Sequence, residues 1–181
     1  NISKKEIENY LLDLSGLYQQ KNLLTILSAL EILKKEFCLE EADIHKALSS
    51  VKKLTGLHGR WELIHKEPTI ILDVAHNEDG IKNLAAQLAI SKYKELHIII
   101  GMEKDKEVEK VLVQLPTNAK YYFTKAQIPR ALPEKDLLEK AKTFHLEGYS
   151  YPAVYDAMKA AMAAASKEDL TGPRRRSGSH R

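Results

Sequence analysis

Only one cysteine, Cys38, occurs in the 181 residues, so no internal disulfide can form, and no cysteine-containing metal site is spaced along the chain. This usage fits a reducing compartment, and a cytoplasmic location is expected. No apolar run approaches the roughly 20 residues that cross a bilayer, and the amino terminus carries no signal-peptide pattern, so a soluble protein without a membrane partner is expected. Glycine is scarce at eight residues, and neither G-x-x-x-x-G-K-[ST] nor G-x-G-x-x-G occurs. The chain alone therefore cannot cradle a triphosphate in a glycine-rich loop. H-E-x-x-H, local clusters of metal ligands and a G-x-S-x-G elbow are missing as well, so sequence motifs assign no catalytic residue and no metal ligand. Strong charge of one sign is also lacking. Four arginines of the last eleven residues supply more than the whole net charge of +3, and without them the body stands at −1. That tail, residues 171–181, reads as disordered or non-native, and a nucleic-acid partner is not expected.

What remains is 44% hydrophobic and long enough to bury a substantial core. Residues 1–53 are helix-rich, with Leu23, Leu27, Leu30 and their neighbours at helical spacing and a second such pattern over 40–51. Residues 10–14 suggest a short strand before them. From Trp61 onward the texture changes. Near-continuous apolar runs at 69–73, 96–101 and 120–124 suit strands buried on both faces, and they alternate with helical patterns at 78–90, 106–114, 133–144 and 152–166. This alternation predicts an α/β fold: a Rossmann-like, open, mostly parallel sheet with helices on both faces. An edge strand is expected at 61–65. The domain boundary is expected near 53–55, which divides the chain into a helical part, 1–53, an α/β part, 54–170, and the tail.

Four segments could carry chemistry. In 71–80, a buried strand ends at Asp73 and a helix starts near Glu78, so the turn lies where open α/β sheets place their ligands. Asn77, Glu78 and Asp79 are explained equally well as a helix cap and first turn. Asp73 and His76 are not: a strand-end carboxylate can accept hydrogen bonds from ribose hydroxyls, and an imidazole can donate to a phosphate. In 56–62, Arg60 offers a planar fork of donors suited to phosphate oxygens, although an ordinary turn before a strand also accounts for the segment. In 16–22, Asn22 reads either as a polar first-turn residue or as a site residue. In 101–107, a solvated turn and a second wall of the same crevice are both compatible with the pattern.

In this order, G-x-Y-Q-x-x-N ending at Asn22, G-R-W-E at 59–62, D-V-A-H-N at 73–77, G-x-x-x-D-K at 101–106 and the pair Thr124 and Arg130-Ala131 resemble motifs of the folylpolyglutamate synthase/dihydrofolate synthase family within the Mur ligase group. The resemblance runs over about residues 10–170. It departs at His58, where the family usually has proline, at Val74, where many members have glycine, and in the tail, where the family continues into a final strand. The sheet is accordingly expected to lack an edge strand.

The resemblance implies that residues 1–53 trail from a central ATPase domain and that 54–170 form the carboxy-terminal domain. It implies an ATP-dependent ligase that adds L-glutamate to folate or dihydropteroate through an acyl phosphate, with magnesium ligands in an amino-terminal part outside this chain. Asn22 would then meet the adenine, Asp73 the ribose, Arg60 the phosphates, and His76 would line the same site. The chain alone would not turn over. The alternatives are a stand-alone nucleotide-binding module and the equivalent domain of another Mur-type amino-acid ligase.

Overall fold

The computed structural model describes residues 9–75, 77–104, 107–125 and 128–171, which form two compact units. The first comprises residues up to Glu62 together with Leu72–Val74, and the second comprises Leu63–Ile71 and the chain from Ala75.

The first unit is built on three helices, α1 (Gln19–Phe37), α2 (Glu41–Leu48) and α3 (Val51–Thr55). Leu23 and Leu27 of α1 bury against Ile44 and Leu48 of α2, two pairs spaced one helical turn apart. Residues 10–14, expected as a strand, are instead an extended segment laid on this helical core. Tyr10 and Leu12 pack against it, and the Asp13 amide donates to the Leu48 carbonyl at 3.3 Å. The physical reason is that this unit offers the segment an apolar helical surface to cover, and among the described residues no strand pairs with it. Asp13 also accepts the Lys52 amide at 3.0 Å, satisfying one of the free donors at the start of α3. Much of α1 remains bare: Ile26, Ile32 and Phe37 are exposed.

The second unit contains the expected α/β alternation. Its elements run β1 (Glu62–Lys66), β2 (Thr69–Leu72), α4 (Glu78–Ala89), β3 (His97–Ile100), α5 (Val108–Leu112), β4 (Lys120–Thr124), α6 (Glu134–Lys142), β5 (Gly148–Tyr151), α7 (Val154–Ala164) and β6 (Leu170–Thr171). β1 is an edge strand, as its position predicted, and β1-β2-β6 form one three-stranded group, with β6 parallel to β2. The other group, β3-β4-β5, is parallel throughout, His97 pairing with Lys120 and Tyr121 with Gly148. β5 was not foreseen from the sequence. The two-residue β6 occupies an edge that was expected to lack a strand.

The second core follows the two-residue period of β4. Tyr122 points to one face, against Ala157 and Ala161 of α7, where small side chains let helix and sheet approach closely. Tyr121 and Phe123 alternate to the other face and stack with ring centroids 5.5 Å apart, and α6 packs on β4 and β5 with Leu137 and Ala141 fully buried. Helices therefore cover both faces of the parallel group, the expected Rossmann-like arrangement. Among the described residues no helix is long and apolar enough to cross a membrane.

The tightest approach in this layer is at Gly148, where an added Cβ would fall 2.0 Å from the Tyr121 carbonyl oxygen, a backbone atom of the neighbouring strand. Neither strand can yield without breaking the ladder. We expect Gly148→Ala to lower unfolding free energy by about 2 kcal/mol or more, in the upper range for overpacking a filled core, as read from urea denaturation. An unchanged midpoint would contradict this packing.

Candidate functional site

The segments that carry Asn22, Arg60 and Asp73 meet in the first unit. Asp73 follows β2, and its Oδ2 accepts two hydrogen bonds, from the Trp61 amide at 2.9 Å and from the Tyr18 hydroxyl at 3.0 Å. Beside it, the Val74 amide donates to the Gly59 carbonyl at 2.9 Å. Residues 59–61 are thus tied twice to residues 73–74, and Tyr18 adds a tie to the start of α1.

The backbone at 59–61 is shaped for this contact. Gly59 is buried with φ of 72°, and a Cβ there would lie 2.5 Å from Cγ1 of Val74, so glycine is needed both for the turn and for the close approach. Trp61, also with positive φ at 51°, is a bulky residue in a conformation that costs on the order of 1–3 kcal/mol. Its indole is buried, and its amide has the Asp73 carboxylate as acceptor, which together hold it there. Glu62 closes the turn from the other side: its Oε2 accepts the Gly59 amide at 2.9 Å, and Oε1 lies 3.0 Å from Nδ1 of His58. The Gly59 amide, followed by His58, holds Glu62 below the usual carboxylate range.

The Tyr18 hydroxyl is kept neutral. Burial first, then the charge and hydrogen bond of Asp73, push its pKa well above the ordinary tyrosine value, and only the charge of Arg60 opposes them. Arg60 is therefore close enough to act on Tyr18. It is half-buried, and among the described residues no hydrogen bond or ion pair engages its guanidinium. Asn22 stands exposed in the first turn of α1 and donates through Nδ2 to Oε1 of the buried Gln19 at 2.8 Å, which orients its amide. His76 lies outside the described residues.

Tyr18 and Gln19 belong to the site's framework and were missed as individual residues. Their motif was legible, but a tyrosine donating across 55 positions leaves no local pattern. Asn77, in the second unit, behaves as a cap: its Oδ1 accepts the Gly80 amide at 2.8 Å at the start of α4. The fourth segment, also in the second unit, meets the Arg130-Ala131 element. Glu103 bridges Ala131, the Lys104 amide donates to the Arg130 carbonyl at 2.8 Å, and the Leu132 amide donates to the Met102 carbonyl at 2.7 Å. Thr124, at the carboxyl end of β4, is buried. Two segments singled out by sequence thus pair beyond the carboxyl ends of parallel strands, where such sheets bind ligands.

Comparison with known proteins follows the same outline. Residues 59–171 match the family model of the Mur ligase, glutamate ligase domain. Dihydrofolate synthase/folylpolyglutamate synthase of Escherichia coli strain K12 is 32% identical over 156 residues, covering 84% of this chain and 34% of that protein. The protein of the same description from Bacillus subtilis strain 168 is 30% identical over 141 residues, covering 77% of this chain and 32% of the relative. Among solved structures, Mycobacterium tuberculosis folylpolyglutamate synthase complexed with ADP and AMPPCP superposes with a TM-score of 0.74 at 25% identity, over 86% of this chain and 35% of that one. The chain spans about a third of the length of the curated relatives it matches.

The double acceptor role of Asp73 predicts separable effects on stability. Asp73→Ala leaves the buried Trp61 amide without its acceptor and should cost about 1–3 kcal/mol in a thermal or urea melt of the chain without nucleotide. Tyr18→Phe removes one donor only and should cost about 1 kcal/mol. Melting points unchanged in both variants would contradict the brace.

Proposed function

The chain belongs to the Mur ligase, glutamate ligase domain family, and on that premise we propose that it is the carboxy-terminal portion of an ATP-dependent ligase that joins L-glutamate to folate or dihydropteroate. In this reading residues 1–53 trail from the central ATPase domain, 54–170 form the carboxy-terminal domain, and 171–181 take no part. The observation that carries the proposal is the turn at 59–61, which bears an Arg60 guanidinium that no described residue engages and is tied through the Trp61 amide to the Asp73 carboxylate.

Such a pair suits a nucleotide because it offers one cation for phosphate oxygens and one carboxylate for hydroxyls. Arg60 would hold phosphate, Asp73 the ribose, Asn22 the adenine edge through its amide, and His76 would line the same site. The relatives support ATP as the nucleotide, since the Mycobacterium tuberculosis structure contains ADP and AMPPCP and an Escherichia coli FolC structure contains DHPP and ADP.

The chemistry assigned to the whole ligase is phosphorylation of the acceptor carboxylate by ATP, followed by attack of the glutamate amine on the acyl phosphate. Phosphate leaves and an amide bond forms. What phosphoryl transfer needs from protein is mainly fixed positive charge and positioning, and Arg60 would supply the charge from a turn whose backbone is tied at three points. The phosphate loop and the magnesium ligands belong, on this reading, to the amino-terminal part, so this chain by itself would not turn ATP over.

In the whole ligase, Arg60→Ala should reduce kcat/KM for ATP roughly 10- to 100-fold, the equivalent of one charge-assisted hydrogen bond. The melting temperature should stay near that of the unaltered protein, because Arg60 braces no described residue. Unaltered kinetics would remove Arg60 from the site.

A further inference from the structure

Away from that turn, the second unit gathers three side chains whose donor atoms all lie within 4.8 Å of one another: Glu95, His97 and Asp169. Nε2 of His97 is 3.9 Å from Oε2 of Glu95 and 3.8 Å from Oδ2 of Asp169. Neither distance is a hydrogen bond. The His97 side chain is fully buried and Asp169 is 4% exposed, yet among the described residues both Nε2 of His97 and Oδ1 of Asp169 lack a hydrogen-bond partner. Orphaned polar atoms at such depth are rare and costly.

No choice of tautomer resolves the mismatch. Nδ1 of His97 is 2.9 Å from the Tyr122 hydroxyl, which can act as donor or acceptor. With the proton on Nδ1, a bare Nε2 lone pair faces two carboxylates. With it on Nε2, an N–H has no acceptor in reach. The remaining contacts of the cluster are also fixed. Oδ2 of Asp169 accepts the Ser166 amide at 2.6 Å, and Lys120 Nζ sits 2.5 Å from Oε2 of Glu95 as the local counter-charge.

We propose that Glu95, His97 and Asp169 form a binding site for a divalent cation of the zinc class at the seam between the two three-stranded groups. One imidazole nitrogen and two carboxylates, with no thiolate, match zinc's N/O preference, whereas magnesium and calcium favour all-oxygen shells. Tetrahedral zinc with bonds near 2.0–2.1 Å needs its ligand atoms about 3.4 Å apart, so the trio has to contract by roughly half an ångström to an ångström. Glu95 is half-exposed and can supply much of that movement by exchanging Lys120 for the metal, and its open side admits a water as fourth ligand. Tyr122 at Nδ1 is the outer contact that orients a metal-bound imidazole. The placement gives the site a structural role. His97 begins β3 and Asp169 immediately precedes β6, strands that pack together without sharing a hydrogen-bonded ladder, and a metal would clip them.

The test uses the full chain stripped with EDTA, melted with zinc chloride, with magnesium chloride and with EDTA alone, and titrated calorimetrically with zinc. Zinc should raise the melting temperature by several degrees at concentrations well above Kd, and magnesium should not. Glu95→Gln, a change at a half-exposed residue, should melt like the unaltered chain in EDTA but bind zinc at least tenfold more weakly, and His97→Gln should abolish the zinc-dependent rise. A chain that zinc does not stabilise, or a Glu95→Gln variant that binds zinc as tightly as the unaltered chain, overturns the proposal. The second result would assign the metal to exposed imidazoles such as His45, His58 or His65.

Discussion

One carboxylate oxygen organises the first unit's functional end. Oδ2 of Asp73 takes the amide of a tryptophan in a left-handed conformation and the hydroxyl of a tyrosine 55 residues earlier, and both donors are at least partly withdrawn from water. Removing that oxygen strands a buried N–H and frees a strained turn, so the orientation of Arg60, between Gly59 and Trp61, depends on it. The same constraint explains why Gly59 must be glycine: the turn that brings Trp61 to Asp73 also presses residue 59 onto Val74. A site placed on such a turn is preorganised, because its charged groups reach position by folding.

The second unit obeys a different constraint, the two-sided burial of β4. Tyr122 faces a helix made thin by alanine, while Tyr121 and Phe123 face α6, and the parallel pairing with β5 is close enough to exclude any side chain at residue 148. This layer is dry and tightly registered. At its seam with the β1-β2-β6 group, His97 and Asp169 hold buried polar atoms that no described residue satisfies.

Much of this was legible in sequence. Near-continuous apolar runs identified β2, β3 and β4, because strands buried on both faces leave no room for alternation. The alanine-rich stretch announced the close packing of α7. β5 escaped because Gly-Tyr-Ser-Tyr contains no apolar run, and an edge strand of four residues needs none. The segment at 10–14 misled for the opposite reason: Tyr10 and Leu12 are apolar enough for a strand, but their burial is against helices. Asp73 and Arg60 stand out as candidates because strand-end polar residues and turn arginines are visible locally, whereas Tyr18 and the Glu95–His97–Asp169 trio are assembled by tertiary contact between distant positions. His76 falls outside the described residues.

In the proposed ligase Asp73 would serve two purposes through one carboxylate, bracing the turn and receiving the ribose. The most direct test compares kcat/KM for ATP with that for 2′-deoxy-ATP in the whole ligase, before and after Asp73→Asn, alongside a melt of each protein. The unaltered ligase should prefer ATP, and Asp73→Asn should narrow this preference while lowering the melting temperature only slightly. A preference for ATP that survives Asp73→Asn unchanged, in a protein that melts markedly earlier, would leave Asp73 as a brace alone and contradict the claim.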